Sequence, residues 1–231
     1  MKKNIYIKKT KDLVRPFLYG FKYLYHSIVG NQFLAQANKW FLFKGDEKLL
    51  LNHRLSKDSL VMDIGGYKGV FIKQILNISP VNVHLFEPIP EYIGVLKDKF
   101  KDQSNVIIHQ FGLSDHDGRV EFYMNSDGTS EFGKAGNKIS VELKKASQFF
   151  DSLGIKSIDL FSLNIEGGEY SVLDDLIKSG WLSKIKFMQI QFHQTVPNSN
   201  SLRESLIEKI QATHEATFSY PFVWEGFRLR S

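Results

Sequence analysis

The chain of 231 residues contains no cysteine and only six prolines. Without cysteine it has no disulfide, no thiolate metal ligand and no cysteine nucleophile. No apolar run is long enough to span a bilayer, and the N-terminus lacks the apolar core and cleavage site of a secretory signal. No linker rich in proline, glycine or serine divides the middle of the chain. These absences favour a cytoplasmic protein with one main globular core.

Positive charge is concentrated at the N-terminus. Residues 1–30 carry seven basic side chains and one acid, a net charge of +6, whereas the remaining 201 residues carry 23 basic and 24 acidic side chains. A protein that binds nucleic acid would show basic residues across its folded surface, so no nucleic-acid partner is expected. We predict a basic, aromatic-rich helical arm over residues 1–45 and a single domain over residues 46–231.

The arm has one apolar stripe at helical spacing, formed by Leu13, Phe17, Phe21, Leu24 and Ile28. One interpretation is an interfacial helix on an anionic membrane, which would make the protein membrane-peripheral. The favoured interpretation is a helix that packs on the body of the protein or forms an oligomer contact, because such stripes usually bury against protein.

Strand and helix patterns alternate along the body. A helix is predicted over residues 46–59, and two strand–helix units and a third strand follow, a rhythm typical of a parallel sheet with βαβ crossovers. Residues 112–143 break this rhythm with the turn signals of an antiparallel excursion, and the last 19 residues resemble a terminal antiparallel pair. The prediction is an α/β fold whose mostly parallel central sheet closes with an antiparallel C-terminal strand.

A glycine-rich turn follows the first strand in VMDIGGYKG, where Asp63 precedes Gly65, Gly66 and Gly69. Such a turn lets the backbone approach a ligand closely and presents N–H groups at a helix start. The spacing differs from the G-x-G-x-x-G pattern of dinucleotide folds, and Asp63 would repel a phosphate. Asp63 can instead accept hydrogen bonds, directly or through water, from the amino-acid part of a ligand.

A second acid, Glu87, ends the next strand 24 residues after Asp63. A carboxylate at this position can accept both hydroxyls of a ribose. Together the glycine turn and the acid favour a nucleoside ligand without phosphate, and S-adenosyl-L-methionine fits that description.

These segments resemble the FkbM-type family of S-adenosylmethionine-dependent methyltransferases. The pieces that carry the resemblance are VMDIGGYKG, HLFEPIPEYIGVLK, HQFGLSDHDGRVEFY, IDLFSLNIEGGEYSVLDDL and MQIQFH, in this order. The resemblance implies a Rossmann-like class I methyltransferase fold and O-methyl transfer to sugars or other hydroxylated acceptors. It assigns Asp63, Gly65 and Gly69 to the first cofactor motif, Glu87 to the ribose, and Gly112, Leu113 and Ser114 to the adenine loop.

The chain departs from the family pattern in two places. Gly66 and Tyr67 replace a frequent alanine–asparagine pair, and Ser162 and Asn164 replace the usual lysine and aspartate before E-G-x-E. The second change removes an ion pair or a candidate metal or base position. We predict no metal site, and the remaining histidines show no metal-ligand spacing.

Methyl transfer to an alcohol needs a base within hydrogen-bond reach of the hydroxyl. His193, at the end of a late strand, is the first candidate because its ordinary pKa lies near neutrality. Glu166 could orient the histidine, act as the base or bind a sugar hydroxyl, and Asn164 could position substrate or cofactor. Glu169 is expected to be structural. The alternative for His193 and Glu166 is a purely structural role.

Three functional hypotheses follow. The leading one is an O-methyltransferase acting on a glycan, glycolipid or related hydroxylated metabolite. The others are an RNA or protein methyltransferase, and an inactive cofactor-binding scaffold docked through the basic arm. Residues 115–140 are predicted to supply substrate contacts, with residues 125–136 mobile until substrate binds.

Overall fold

The computed structural model describes residues 18–125, 128–130 and 137–231, with the side chains of 123–137 excepted. The strands are β1 (Leu60–Ile64), β2 (Asn82–Phe86), β3 (Val106–His109), β4 (Gly112–Ser114), β5 (Gly118–Asn125), β6 (Gly128–Ser130), β7 (Asn137–Lys145), β8 (Ile158–Leu163), β9 (Ile185–Ile190), β10 (His214–Tyr220) and β11 (Trp224–Leu229). The helices are α1 (18–28), α2 (Gln32–Leu42), α3 (Val70–Ile78), α4 (Pro90–Lys99), α5 (Ala146–Ser152), α6 (Glu169–Lys178) and α7 (Ser199–Gln211).

The central sheet has seven strands in the order β10-β11-β9-β8-β1-β2-β3. The five strands from β9 to β3 are parallel, and β11 and β10 add to β9 in antiparallel fashion. The predicted mostly parallel sheet with an antiparallel C-terminal end is therefore confirmed.

The strands at the sheet centre are apolar on both faces because helices cover both faces. In β1, Met62 and Ile64 belong to one hydrophobic cluster with Phe161, whereas Val61 belongs to a second cluster with Leu160. The two clusters lie on opposite faces because neighbouring residues of a strand point in opposite directions. This double burial explains why residues 60–62 of β1 are all apolar.

Strand β1 is the point at which the sheet order reverses. The chain runs outward from β1 to β2 and β3 and then returns to place β8 on the other side of β1. In open α/β sheets, ligands bind at the carboxyl ends of the strands beside such a reversal. The turns after β1, β2 and β8 therefore mark the expected site.

A second sheet of four strands, in the order β4-β7-β5-β6, packs beside this edge. Strand β5 pairs antiparallel with β6 and β7, as the turn signals predict, while β4 pairs parallel with β7. The predicted mobile segment 125–136 lies mostly outside the described residues, so that prediction stays untested.

Helix α2 holds the N-terminal region against the body. The buried Trp40 ring packs on Phe218 and Tyr220 of β10, and its indole Nε1 donates to Asp46 at 2.9 Å. The division at residues 45 and 46 stays a prediction. No helix within the described residues is both long and apolar enough to cross a membrane.

The apolar stripe of the arm does not pack on the body where the structure describes it. Phe21, Leu24 and Ile28 are 72%, 57% and 76% exposed. Leu13 and Phe17 lie outside the described residues. The favoured packing of this stripe on the body is therefore wrong for its described part, and the membrane and oligomer interpretations stay predictions.

The predicted helix over residues 46–59 is also wrong for most of its length. A single π-helical turn covers Asp46–Leu50, and irregular chain follows. Ser56 and Ser59 close a local turn through side-chain and backbone hydrogen bonds, which compete with helical pairing. The His53 side chain points to β9, where its Nε2 lies 3.1 Å from the amide oxygen of Gln189.

Candidate active site

A cavity of about 320 Å³ opens at the carboxyl ends of β1, β2 and β8. Its walls come from the turns after these strands and from β4, β5, β7 and α6. They are formed by Ile64, Gly65, Tyr67, Phe86, Glu87, Pro88, Ile89, Tyr92, Gly112, Leu113, Ser114, Phe122, Leu143, Asn164, Ile165, Glu166, Gly168 and Ser171. Most of these side chains are apolar, and two carboxylates, Glu87 and Glu166, are among them.

Gly65 lets the turn after β1 approach the turn after β8. Its φ of 91° lies in the left-handed region, and a Cβ would stand 1.9 Å from the backbone oxygen of Asn164. Only glycine fits both constraints. Gly65 therefore lines the cavity as predicted, through its backbone.

Gly66 and Gly69 do not line the cavity. A Cβ on Gly66 would stand 2.2 Å from the Leu85 side chain, and one on Gly69 would stand 2.6 Å from Phe100. Gly69 also has a φ of 66° immediately before α3. Both glycines let the turn pack tightly against its neighbours, and their predicted contact with the cofactor stays a prediction.

Glu87 faces the cavity with a carboxylate that is almost fully buried. Its Oε2 accepts the backbone N–H of Tyr67 at 2.8 Å, and its Oε1 accepts the N–H of Ile89 at 2.9 Å. Burial raises the pKa of Glu87 to about 7, although these two N–H groups pull it down. Each oxygen retains a second lone pair for a donor in the cavity.

Tyr67 forms the outer wall beside Glu87. Its backbone is held at a φ of 46°, and its ring meets Tyr92 edge-on at a centroid distance of 4.5 Å. A non-glycine residue in this region is uncommon and persists only when its surroundings fix it. Here the hydrogen bond to Glu87 and the contact with Tyr92 hold the Tyr67 backbone in place. Position 67, which departs from the family pattern, thus forms a wall of the cavity.

Asp63 lies behind the cavity wall. It is buried at the end of β1, and burial raises its pKa to about 7. A hydrogen bond from Ser162 opposes this rise, whereas the charge of Glu87 adds to it. A bound molecule in the cavity would reach Asp63 only through water or a shift of the wall. Its predicted contact with a ligand stays a prediction.

A row of polar side chains crosses the sheet from Asp63. Ser162 and Gln189 occupy the paired positions on β8 and β9, and Gln189 Nε2 donates to Ser162 Oγ at 3.2 Å. The row ends at His53, whose Nε2 donates to Gln189 because an amide oxygen only accepts. Burial lowers the pKa of His53. Asp63 is thus held by neutral dipoles.

The predicted adenine loop forms strand β4. Gly112, Leu113 and Ser114 all line the cavity and are buried. A Cβ on Gly112 would stand 2.7 Å from Leu143, so glycine allows β4 to pair closely with β7. The structure brings these three residues together with Gly65 and Glu87 around one space, which is the arrangement expected of one ligand site.

The catalytic candidates group around a buried carboxylate, Glu169. Its Oε1 accepts the backbone N–H of His193 at 2.6 Å and lies 3.2 Å from the ring Nδ1, while its Oε2 accepts the N–H of Gly167 at 2.8 Å. A carboxylate at Nδ1 favours the tautomer that carries its proton there, so the lone pair sits on Nε2. Nε2 lies 3.5 Å from Oε2 of Glu166.

Burial alone would lower the pKa of His193. The hydrogen bond to Glu169 and the charges of Glu169 and Glu166 outweigh burial, so the pKa lies above its ordinary value. Among these groups Glu166 lines the cavity and His193 stands behind it. Glu166 has a φ of 55° and Gly167 one of 117°, so a strained turn presents this carboxylate to the cavity.

Several cavity and support residues were missed in the sequence. Glu169 was expected to be structural, yet it positions both the His193 ring and the turn that carries Glu166. Tyr92, Phe122, Leu143 and Ser171 complete the walls. A signal existed for Glu169, an acid three residues after Glu166 at the start of a helix. The four wall residues come from separate elements, α4, β5, β7 and α6, and of them only Phe122 lies in the segment predicted to supply substrate contacts.

Comparison with known families adds a match to the model described as "Methyltransferase FkbM domain", over residues 63–220. The chain belongs to the FkbM methyltransferase family. The matched region begins at Asp63 and includes every residue of the cavity, so the FkbM resemblance of the individual motifs is confirmed.

One curated relative of this FkbM chain is the 2-O-methyltransferase NoeI of Sinorhizobium fredii. It is 23% identical over 192 residues, which cover 73% of this chain and 77% of the relative. The match extends over most of both proteins.

Solved structures agree on the fold. Methyltransferase FkbM from Methylobacillus flagellatus superposes with a TM-score of 0.53 at 14% identity, covering 85% of this chain and 53% of that one. This chain thus spans about half the length of that protein. An rRNA methylase from Streptococcus thermophilus gives 0.50 at 12% identity, covering 81% and 95%. At such identities the likeness shows the fold alone, and the predicted Rossmann-like class I methyltransferase fold is confirmed.

Proposed function

We propose that this protein is an S-adenosylmethionine-dependent O-methyltransferase that acts on a hydroxyl of a glycan, glycolipid or related metabolite. One observation carries the proposal: a single cavity is lined both by a buried carboxylate suited to a ribose, Glu87, and by a carboxylate backed by a histidine, Glu166. The relative NoeI, named as a 2-O-methyltransferase, supports oxygen as the methylated atom.

The residues on the β1–β2 side fit the cofactor. Glu87 keeps one free lone pair on each oxygen, and two adjacent ribose hydroxyls would donate to this pair. The apolar side chains of Ile89 and Leu113 flank the same space and suit a purine, while the Ser114 hydroxyl offers it a polar contact. When bound, S-adenosylmethionine supplies a methyl group carried on a sulfonium sulfur.

The β8–β9 side handles the proton of the acceptor. The acceptor hydroxyl would donate to Glu166 on the cavity wall, and Glu166 would take up the proton that this hydroxyl loses. Glu166 can pass this proton to the lone pair on His193 Nε2, which Glu169 keeps aimed in that direction. His193 thus acts behind Glu166, and Asn164 lines the wall beside the acceptor.

Second-sheet residues supply the acceptor side of the wall. Phe122 on β5 and Leu143 on β7 reach the cavity, which supports the prediction that the excursion contributes to substrate selection. A hydroxylated ring would present its apolar face to such side chains.

Calorimetric titration of S-adenosylmethionine tests the cofactor half of the proposal. We expect micromolar binding by the intact protein, at least about tenfold weaker binding by Glu87→Gln, and no binding of NAD. Glu91→Gln, which changes an exposed acid of α4, is the matched control and should bind as the intact protein does.

Turnover on hydroxylated acceptors tests the other half. Methyl transfer to sugar hydroxyls that is lost in Glu166→Gln would support the assignment. Tight cofactor binding with no transfer to any hydroxylated, RNA or protein acceptor would favour a scaffold that binds cofactor without catalysis. Failure to bind S-adenosylmethionine would overturn the proposal as a whole.

A further inference from the structure

An exposed apolar surface covers the first two helices. We call it the N-terminal apolar face, and its members are Phe21, Leu24, Ile28, Val29, Phe33 and Leu34. Ten of the seventeen large hydrophobic side chains exposed within the described residues fall between residues 18 and 43. Isolated exposed apolar residues are ordinary, but Phe21, Leu24 and Ile28 recur at helical spacing on one face of α1, and an apolar group of this kind marks an interaction surface.

The charge of the same region identifies the kind of partner. Residues 1–45 contain nine basic side chains and one acid, Asp12, whereas residues 46–231 contain 21 basic and 24 acidic side chains. No acid occurs between Asp12 and Asp46, a stretch that includes both helices. The apolar face therefore lies within a segment of net charge +8, and its partner should be apolar and anionic.

A second copy of the chain fits this requirement poorly. A symmetric contact through the same face would bring together two copies of α1 and α2, whose two lysines, Lys22 and Lys39, face no acid on either helix, and like charges at an interface oppose association. An anionic lipid surface offers acyl chains to the apolar residues and headgroups to the cations. Tyr19, Tyr23 and Tyr25 on α1 suit the boundary between the two, where amphipathic rings concentrate.

We propose that the N-terminal apolar face docks this protein on anionic bilayers, with α1 lying in the plane of the interface. Helix α2 continues the face through Phe33 and Leu34 and is tied to the body through buried Trp40, which packs on β10. Docking would therefore fix the position of the whole domain at the lipid surface. This inference is independent of the proposed methyl transfer.

Vesicle co-sedimentation with the full chain tests the proposal. We expect the intact protein to pellet with vesicles of phosphatidylcholine containing about one-third phosphatidylglycerol, and to be released in about 1 M NaCl, where the Debye length is about 3 Å. The variant Phe21→Glu/Ile28→Glu should lose at least about tenfold in vesicle affinity, because it places two acids on the face.

The matched control is Ile78→Glu/Ile107→Glu, which adds the same charges at apolar positions 60% and 50% exposed elsewhere on the surface. It should bind vesicles as the intact protein does, and circular dichroism should show all three proteins folded. Equal loss in the control, equal binding to pure phosphatidylcholine, or no vesicle binding at low salt would each overturn the proposal. Light scattering that shows a dimer dissolved by Phe21→Glu/Ile28→Glu would also overturn it, in favour of self-association.

Discussion

The two sides of the cavity hold their carboxylates in opposite ways. On the β1–β2 side, Glu87 accepts two backbone N–H groups and forms no ion pair with any described residue, and Asp63 behind it is held by a serine hydroxyl. On the β8–β9 side, Glu169 holds His193, and Glu166 lies 3.5 Å from the same ring. The first arrangement suits neutral hydroxyl donors, and the second suits a proton that must move.

The largest expected effect comes from a substitution that forces the turn after β1 away from the turn after β8. Gly65→Ala places a Cβ against the Asn164 carbonyl in a left-handed backbone, and we expect a loss of about 3 kcal/mol or more in the free energy of unfolding, measured in urea. Gly154→Ala is the control, because Gly154 has a φ of 67° but nothing within 4 Å of a Cβ. It should cost about 1 kcal/mol. Similar losses in the two variants would refute the close-approach argument.

Glu169→Gln keeps the shape of the β8–β9 side and removes its charge. The pKa of His193 should fall by about one unit or more, followed through its imidazole resonances by NMR. Because the neutral ring accepts the proton, the acid limb of the activity profile should move to lower pH, while kcat falls about 100-fold as the ring loses its fixed tautomer.

Glu169→Gln should hardly change the affinity for S-adenosylmethionine, because Glu169 lies on the β8–β9 side and the proposed cofactor contacts lie on the β1–β2 side. Asp174→Asn, on the same helix but paired with Lys178 at the surface, serves as the comparison. An unshifted His193 pKa in Glu169→Gln would show that Glu169 has only a packing role.

The β1–β2 side should make stability depend on pH. Glu87 and Asp63 have folded-state pKa values of about 7, above their ordinary values of 4.5 and 3.8. The folded chain then binds more protons than the unfolded chain between about pH 4 and 7, so these groups lower stability as pH rises through that window. We expect these two carboxyls together to lower the free energy of unfolding by several kcal/mol across this window, and Glu87→Gln to flatten the slope. An unchanged slope in that variant would locate the effect elsewhere.

The smallest expected effect concerns the support of Asp63. Ser162→Ala removes the hydrogen bond to Asp63 and leaves Gln189 Nε2 without its acceptor, which should cost about 1–2 kcal/mol of stability. The pKa of Asp63 should rise further, and cofactor affinity should weaken a few-fold if Asp63 orders the turn after β1. Ser183→Ala is the control for the loss of stability, because Ser183 is exposed and its hydroxyl donates to the nearby backbone oxygen of Gly180.

The sequence predicted the sheet and the β1–β2 side well because both depend on local signals. Gly65 and Glu87 stand directly after β1 and β2, and periodicity alone identifies the ends of these strands. The errors have equally local causes. Residues 51–59 have a helical apolar pattern, yet they form no helix, because Ser56 and Ser59 close a turn and His53 hydrogen-bonds to Gln189.

The β8–β9 side and the cavity residues of the second sheet could not be predicted in the same detail. His193 and Glu166 were found as strand-end residues, but their order relative to the cavity depends on where Glu169 holds the ring. Glu169 itself looked like an ordinary first-turn acid of α6. Phe122 and Leu143 reach the cavity by pairing between strands far apart in sequence, which no local pattern encodes.

The polar row from Asp63 to His53 makes position 162 sensitive to its neighbours. Ser162→Lys would remove the hydroxyl that accepts from Gln189 Nε2, and it would bring a cation beside that donor group. We therefore expect the cost of this substitution to depend on residue 189, because the two side chains are in direct contact. Ser162→Lys alone should cost more stability than the same change in a chain that has already lost Gln189.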